Sequence, residues 1–202
     1  MKNEDEDTNY ERHCRLSQSD GLNRKKDLDQ FCAENDWVEA FFAKYTFEVD
    51  FMKYNNAYEI CKTIDIAYKR TADKETIKEK INNNDLAISG KEILRLAEKF
   101  GKGWFSIMLS DNINHLTGIP EYILKAIAYC CQNIKSDILF TMAKYRLNNL
   151  SEVAMQNDKI NYKSKLKQMI QYKTHEQAIE YYTETFKKDI LTEFINIISH
   201  EF

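Results

Sequence analysis

The sequence predicts a mostly α fold with a remnant α/β strand element near residues 37–46, and three observations lead there. Glycine and proline are scarce, five and one in 202 residues, which argues against a turn-rich all-β architecture. Four stretches repeat their apolar residues with the 3.6-residue period of a helix. One stretch alone, Trp37 to Thr46, is short, aromatic and β-prone. The chain is long enough for one good-sized core or two small ones. Its 43% hydrophobic and 30% charged residues are those of a globular rather than a disordered chain.

Residues 1–34 form a polar segment, acidic at first and then basic at Arg24-Lys25-Lys26. Few apolar residues interrupt it, so it reads as loop or weakly ordered chain ending in a short helix over 24–34, with Gly21 as a turn or helix stop. The strand candidate follows, apolar at both parities around Phe41 and Phe42 and therefore covered on two faces. From Asn56 the period changes, and Ala57, Ile60, Cys61, Ile64 and Tyr68 share one helical face. Ser89-Gly90-Lys91-Glu92 reads as a capping box, with Ile93, Leu96, Ala97 and Phe100 inward and Gly101 ending the helix. Another helical stretch runs from Trp104 to Leu109. Pro120 suits a helix start, followed by a stripe of Ile119, Tyr122, Ile123, Ala126, Ile127 and Cys130. Polar residues at 148–163 mark a boundary, so 35–147 and 148–202 read as separate regions. Thr174 caps a long amphipathic helix that buries Ala178, Tyr181, Ile190, Phe194, Ile197 and Ile198.

Charge and cysteine usage narrow the function classes. A net charge of −3 and a pI near 5.9 lack the basic footprint of an autonomous nucleic-acid binder. Any DNA contact must then come from a local patch or a partner. No apolar run is long enough to span a membrane, and the acidic start lacks a signal-peptide h-region, so a cytoplasmic location is expected. The five cysteines, without paired CxxC spacing, read as reduced, mostly buried thiols.

Four features carry candidate chemistry. Asp5 and Asp7, two apart, would share one face of a strand and hold a divalent cation, or else belong to a solvated terminus. Thr46-Phe47-Glu48-Val49-Asp50 would place Glu48 just past a strand end, where α/β sheets put ligand groups, or make it an ordinary helix-start acid. Gly101-Lys102-Gly103-Trp104 is no P-loop, but its glycines permit close approach of a phosphate; otherwise it is a helix–helix turn with Lys102 in solvent. The histidines His13, His115, His175 and His200 lack metal-ligand spacing.

The second and third features, together with Gly118-Ile119-Pro120-Glu121-Tyr122-Ile123, occur in an order that resembles the C-terminal part of the Toprim nucleases of the OLD (overcoming lysogenisation defect) family, ATP-dependent endonucleases. About fifty residues separate the acid from the lysine, as in the family. The resemblance covers roughly residues 35–130. It implies that Glu48 helps bind a catalytic Mg²⁺ or Mn²⁺, with Thr46 as a secondary ligand and Asp5 and Asp7 matching the DxD ligands. Lys102 would be catalytic, neutralising charge on the phosphate. Both charged ends should then face one solvent-open pocket within roughly 12 Å.

The departures from the family are large. The first Toprim strand with its glutamate, the strand leading into DxD, and the ATPase with its Walker motif have no counterpart. The resemblance thus implies a C-terminal fragment or subunit, inactive alone, acting on DNA in DNA processing or phage defence. Its site would be completed by a missing N-terminal half, by an ATPase/Toprim partner chain or by a homodimer. The alternative is a non-catalytic helical interaction module descended from such an enzyme.

Overall fold

The computed structural model describes residues 9–131, 133–153 and 160–200. Asp5 and Asp7 lie outside them. Among the described residues, eleven α-helices and one π-helical turn account for the regular structure, and no strand occurs. The chain divides into two units, residues 1–42 and 43–202.

The first unit is built on α1 (Asn9–Ala33), longer than the helix expected over 24–34, and Gly21 sits inside it. Leu16, Leu22, Leu28 and Phe31 are all exposed. The segment after α1 corrects the expected strand. Residues 36–45 contain turns, bends and irregular backbone, and Trp37 is 94% exposed. A strand exists only where a neighbour takes up its backbone hydrogen bonds, and β-propensity measures fit to such a surface rather than a backbone preference. Here the local structure is set instead by turn bonds such as Val38 N–H to Asn35 O at 3.2 Å, and Lys25 lies over the Phe42 ring at 4.9 Å. The fold is therefore helical, without the α/β element.

The second unit holds two apolar clusters. The first is made by α2 (Phe47–Phe51), a π-turn (Met52–Asn56), α3 (Ala57–Ala67), α4 (Thr71–Ile81), α5 (Leu86–Phe100) and α6 (Lys102–Ser110), around Ile60, Ile64, Ile93, Leu96 and Phe105. The second comprises α7 (Glu121–Cys130), α8 (Ser136–Val153), α9 (Tyr162–Ile170), α10 (His175–Thr185) and α11 (Ile190–His200), around Leu124, Leu147, Met169, Tyr182 and Phe194.

Several local signals act differently from their sequence appearance. Helix α5 starts earlier than Ser89: Asp85 is its N-cap and accepts from the Ala87 N–H at 2.9 Å. Ser89 is buried and its hydroxyl donates back to the Asp85 carbonyl, the usual behaviour of a serine inside a helix. Glu92 pairs with Arg95 and Lys80. Thr174 does cap α10, accepting from Gln177 N–H at 3.3 Å, but the helix it opens stops at Thr185 and a second begins at Ile190. On α7 the buried positions are Leu124 and Ala128, whereas Ile127 and Cys130 are exposed. That helix is apolar nearly all round, so period alone cannot choose its inner face.

Candidate functional site

Thr46 is the N-cap residue of α2 and has extended backbone, although its hydroxyl makes no capping bond. Asp50 reaches back to accept the N–H of Tyr45, the residue before the cap, at 3.1 Å, and is only 6% exposed. Glu48 sits in the first turn, where the positive end of the helix dipole favours a carboxylate.

Lys102 reaches the same place from α6. Gly101 ends α5 at φ 78°, ψ 132°, a conformation suited to glycine, and α6 begins at the very next residue. Phe105 and Leu109 bury one side of α6 in the first cluster, which leaves Trp104 and Lys102 outward. The Lys102 ammonium lies 3.5 Å from the Glu48 carboxylate, inside the 12 Å that the family resemblance implies. The ammonium side is open, with the lysine side chain 66% exposed, while that of Glu48 is 10% exposed. A cation at a helix N-terminus opposes the dipole, so the glutamate supplies what holds it there.

The third family-like segment packs beside the first. The backbone between α2 and α3 kinks through Tyr54 and through Asn55 at φ 64°. The kink turns Asn56 inward to 1% exposure. Its amide donates to the Phe51 and Gly118 carbonyls, each at 2.9 Å, and its oxygen accepts the Gly118 N–H at 2.7 Å. A side chain at 118 would collide with the Tyr54 carbonyl oxygen. This clasp sets Pro120 at the N-cap of α7 and brings Tyr122 near the acids of α2. Burial, then the charges of Asp50 and Glu48, push the Tyr122 phenol up. Burial does the same to Tyr54, whose hydroxyl meets the Glu121 backbone while Glu121, Glu193 and Asp50 lie close enough to be felt.

Of the ligands that the resemblance implies, Glu48 and Thr46 alone lie among the described residues, one carboxylate where a two-metal site takes several. Among the described residues no group of three or more His, Cys, Asp or Glu residues could hold a metal ion. The histidines serve elsewhere: His175 stacks on Phe140 at 4.7 Å, and His115 meets Tyr145 edge-on at 6.2 Å. The side chain of His13 lies outside the described residues.

Sequence reasoning missed two polar constellations. One is the Asn56 clasp. The other joins Arg146 to Asp189 at 2.9 and 3.0 Å and to the His115 carbonyl, with Tyr182 donating to Asp189 at 2.7 Å. Burial foremost, and then Asp189, drive the Tyr182 phenol far up. No spacing signals either one, because their members come from distant elements.

Comparison with protein-family models, curated proteins and solved structures finds no match. No described helix is long and apolar enough to cross a membrane.

Proposed function

We propose that the chain is the C-terminal part, or a subunit, of a Toprim-type metal-dependent DNA endonuclease related to the ATP-dependent OLD nucleases. One observation carries this reading: Glu48 and Lys102, far apart in sequence, meet at 3.5 Å beside an open surface. In this reading Lys102 places its charge against a DNA phosphate, and Glu48 holds the lysine in position until the rest of the site arrives. Carboxylates from another chain or from a preceding region complete the metal centre; the described residues of this chain do not.

A second reading, a non-catalytic helical interaction module, draws on the absence of a three-residue ligand cluster among the described residues. Duplex binding separates the two. The anisotropy of a labelled oligonucleotide duplex should report Lys102→Ala binding several-fold more weakly than wild type, with a salt dependence shallower by about one phosphate contact. Glu48→Gln releases the lysine, so without metal it should bind more tightly than wild type. Identical affinities for all three proteins would remove the nuclease reading.

A further inference from the structure

A cleft of about 320 Å³ opens between α7, α8 and α11, remote in role from the Glu48–Lys102 pair. Leu124, Met142, Leu191 and Phe194 make its walls, and Ile127 stands at the surface, 44% exposed. The volume lies at the low end of small-molecule sites, enough for one ring with a short chain. Four polar side chains share the lining, and two of them, His115 and Tyr145, meet each other edge-on at 6.2 Å. Arg146 is already matched by Asp189 and the His115 carbonyl, so its charge is not free for a ligand. Asn149 differs: its amide nitrogen is buried and has no acceptor.

We infer that this cleft binds a small apolar molecule carrying one neutral carbonyl-type acceptor, received by the Asn149 amide. The apolar walls select the body of the ligand by burial. The unsatisfied amide of this lining residue selects the acceptor, since a buried donor without a partner gains most from meeting one. Neutrality follows from the Arg146–Asp189 pair. A carboxylate would give up its water and meet in Arg146 a charge that Asp189 already matches.

Three probes of similar size test this on the full chain: 4-phenylbutan-2-one, butylbenzene and 3-phenylpropionate. Backbone amide NMR shifts at Ile127, Leu191 and Phe194 report occupancy. The ketone should saturate these shifts and bind about five- to tenfold more tightly than the hydrocarbon or the anion, the difference one hydrogen bond makes. Asn149→Leu should bring ketone and hydrocarbon to equal affinity. Ile127→Trp, changed at an exposed rim position, should block all three probes while leaving the fold intact. No saturable shift at the cleft, equal wild-type affinity for ketone and hydrocarbon, preference for the anion, or a ketone preference that survives Asn149→Leu would each overturn the inference.

Discussion

Asn56 shows how much one side chain decides in this molecule. It is 1% exposed, and its three hydrogen bonds join the end of α2 to the segment that starts α7. Removing it takes a partner from the buried Phe51 carbonyl and from the part-buried carbonyl and N–H of Gly118, each with its own desolvation cost. Asn56→Ala should destabilise the fold by about 2–4 kcal/mol. Gly118→Ala should cost about 2 kcal/mol or more, because the added carbon meets the Tyr54 carbonyl and backbone must yield. Urea denaturation checks both; a loss under half a kcal/mol in either would mean that the clasp is not formed in solution. Glu193 supplies the pH-dependent case. Burial, and then the Glu121 charge, raise its carboxyl above the ordinary 4.5. A carboxyl raised on folding lends stability that is complete below the unfolded-state value and is lost as pH climbs through the folded one. Glu193→Gln should therefore raise the urea midpoint relative to wild type at pH 7, and the gain should shrink toward pH 4. A gain that stays constant with pH would assign the effect to something other than this proton.

The junction of α5 and α6 is the clearest case at the scale of the element. With φ at 78°, Gly101 lets one helix end and the next begin without a linker, and that geometry aims Lys102 at Glu48. Gly101→Ala should cost about 1–2 kcal/mol from the positive φ alone. It should also weaken duplex binding, a readout that loss of stability by itself would not move at temperatures well below unfolding. Elements differ in how legible they were. Gly101, Pro120 and Thr174 could be read directly, since each acts through its own backbone or hydroxyl within one turn. Ser89 misled because an equally good cap, Asp85, stands four residues earlier and Leu86 packs on the first cluster. The 37–46 segment misled for a different reason: aromatic and β-branched residues state a preference for a neighbour, and the described chain offers none. The Glu48–Lys102 encounter was anticipated through the family resemblance. The Arg146–Asp189–Tyr182 group left no trace in any window of sequence, because its members come from α8, α10 and the turn after it.

For the molecule as a whole, the nuclease reading makes a negative prediction with a sharp exception. The purified chain should hydrolyse no ATP and should cut little or no plasmid with Mg²⁺ or Mn²⁺, because its sequence has no P-loop motif and its described residues form no cluster of metal ligands. Robust nicking that Glu48→Ala abolishes would show the site to be finished within the chain or by a second copy. The two apolar clusters bear on how such a molecule is made. Every buried member of the first precedes Ser110, and every buried member of the second follows Gly118. During synthesis, then, the first cluster can close while the second is still being translated, and domains that emerge in order tend to fold in order. The Asn56 side chain must wait, its donors and acceptor facing water, until Gly118 clears the ribosome. A pause in translation once Ser110 has left the ribosome, but Gly118 has not, would hold the nascent chain with its lysine and glutamate free to pair and its final helices unwritten.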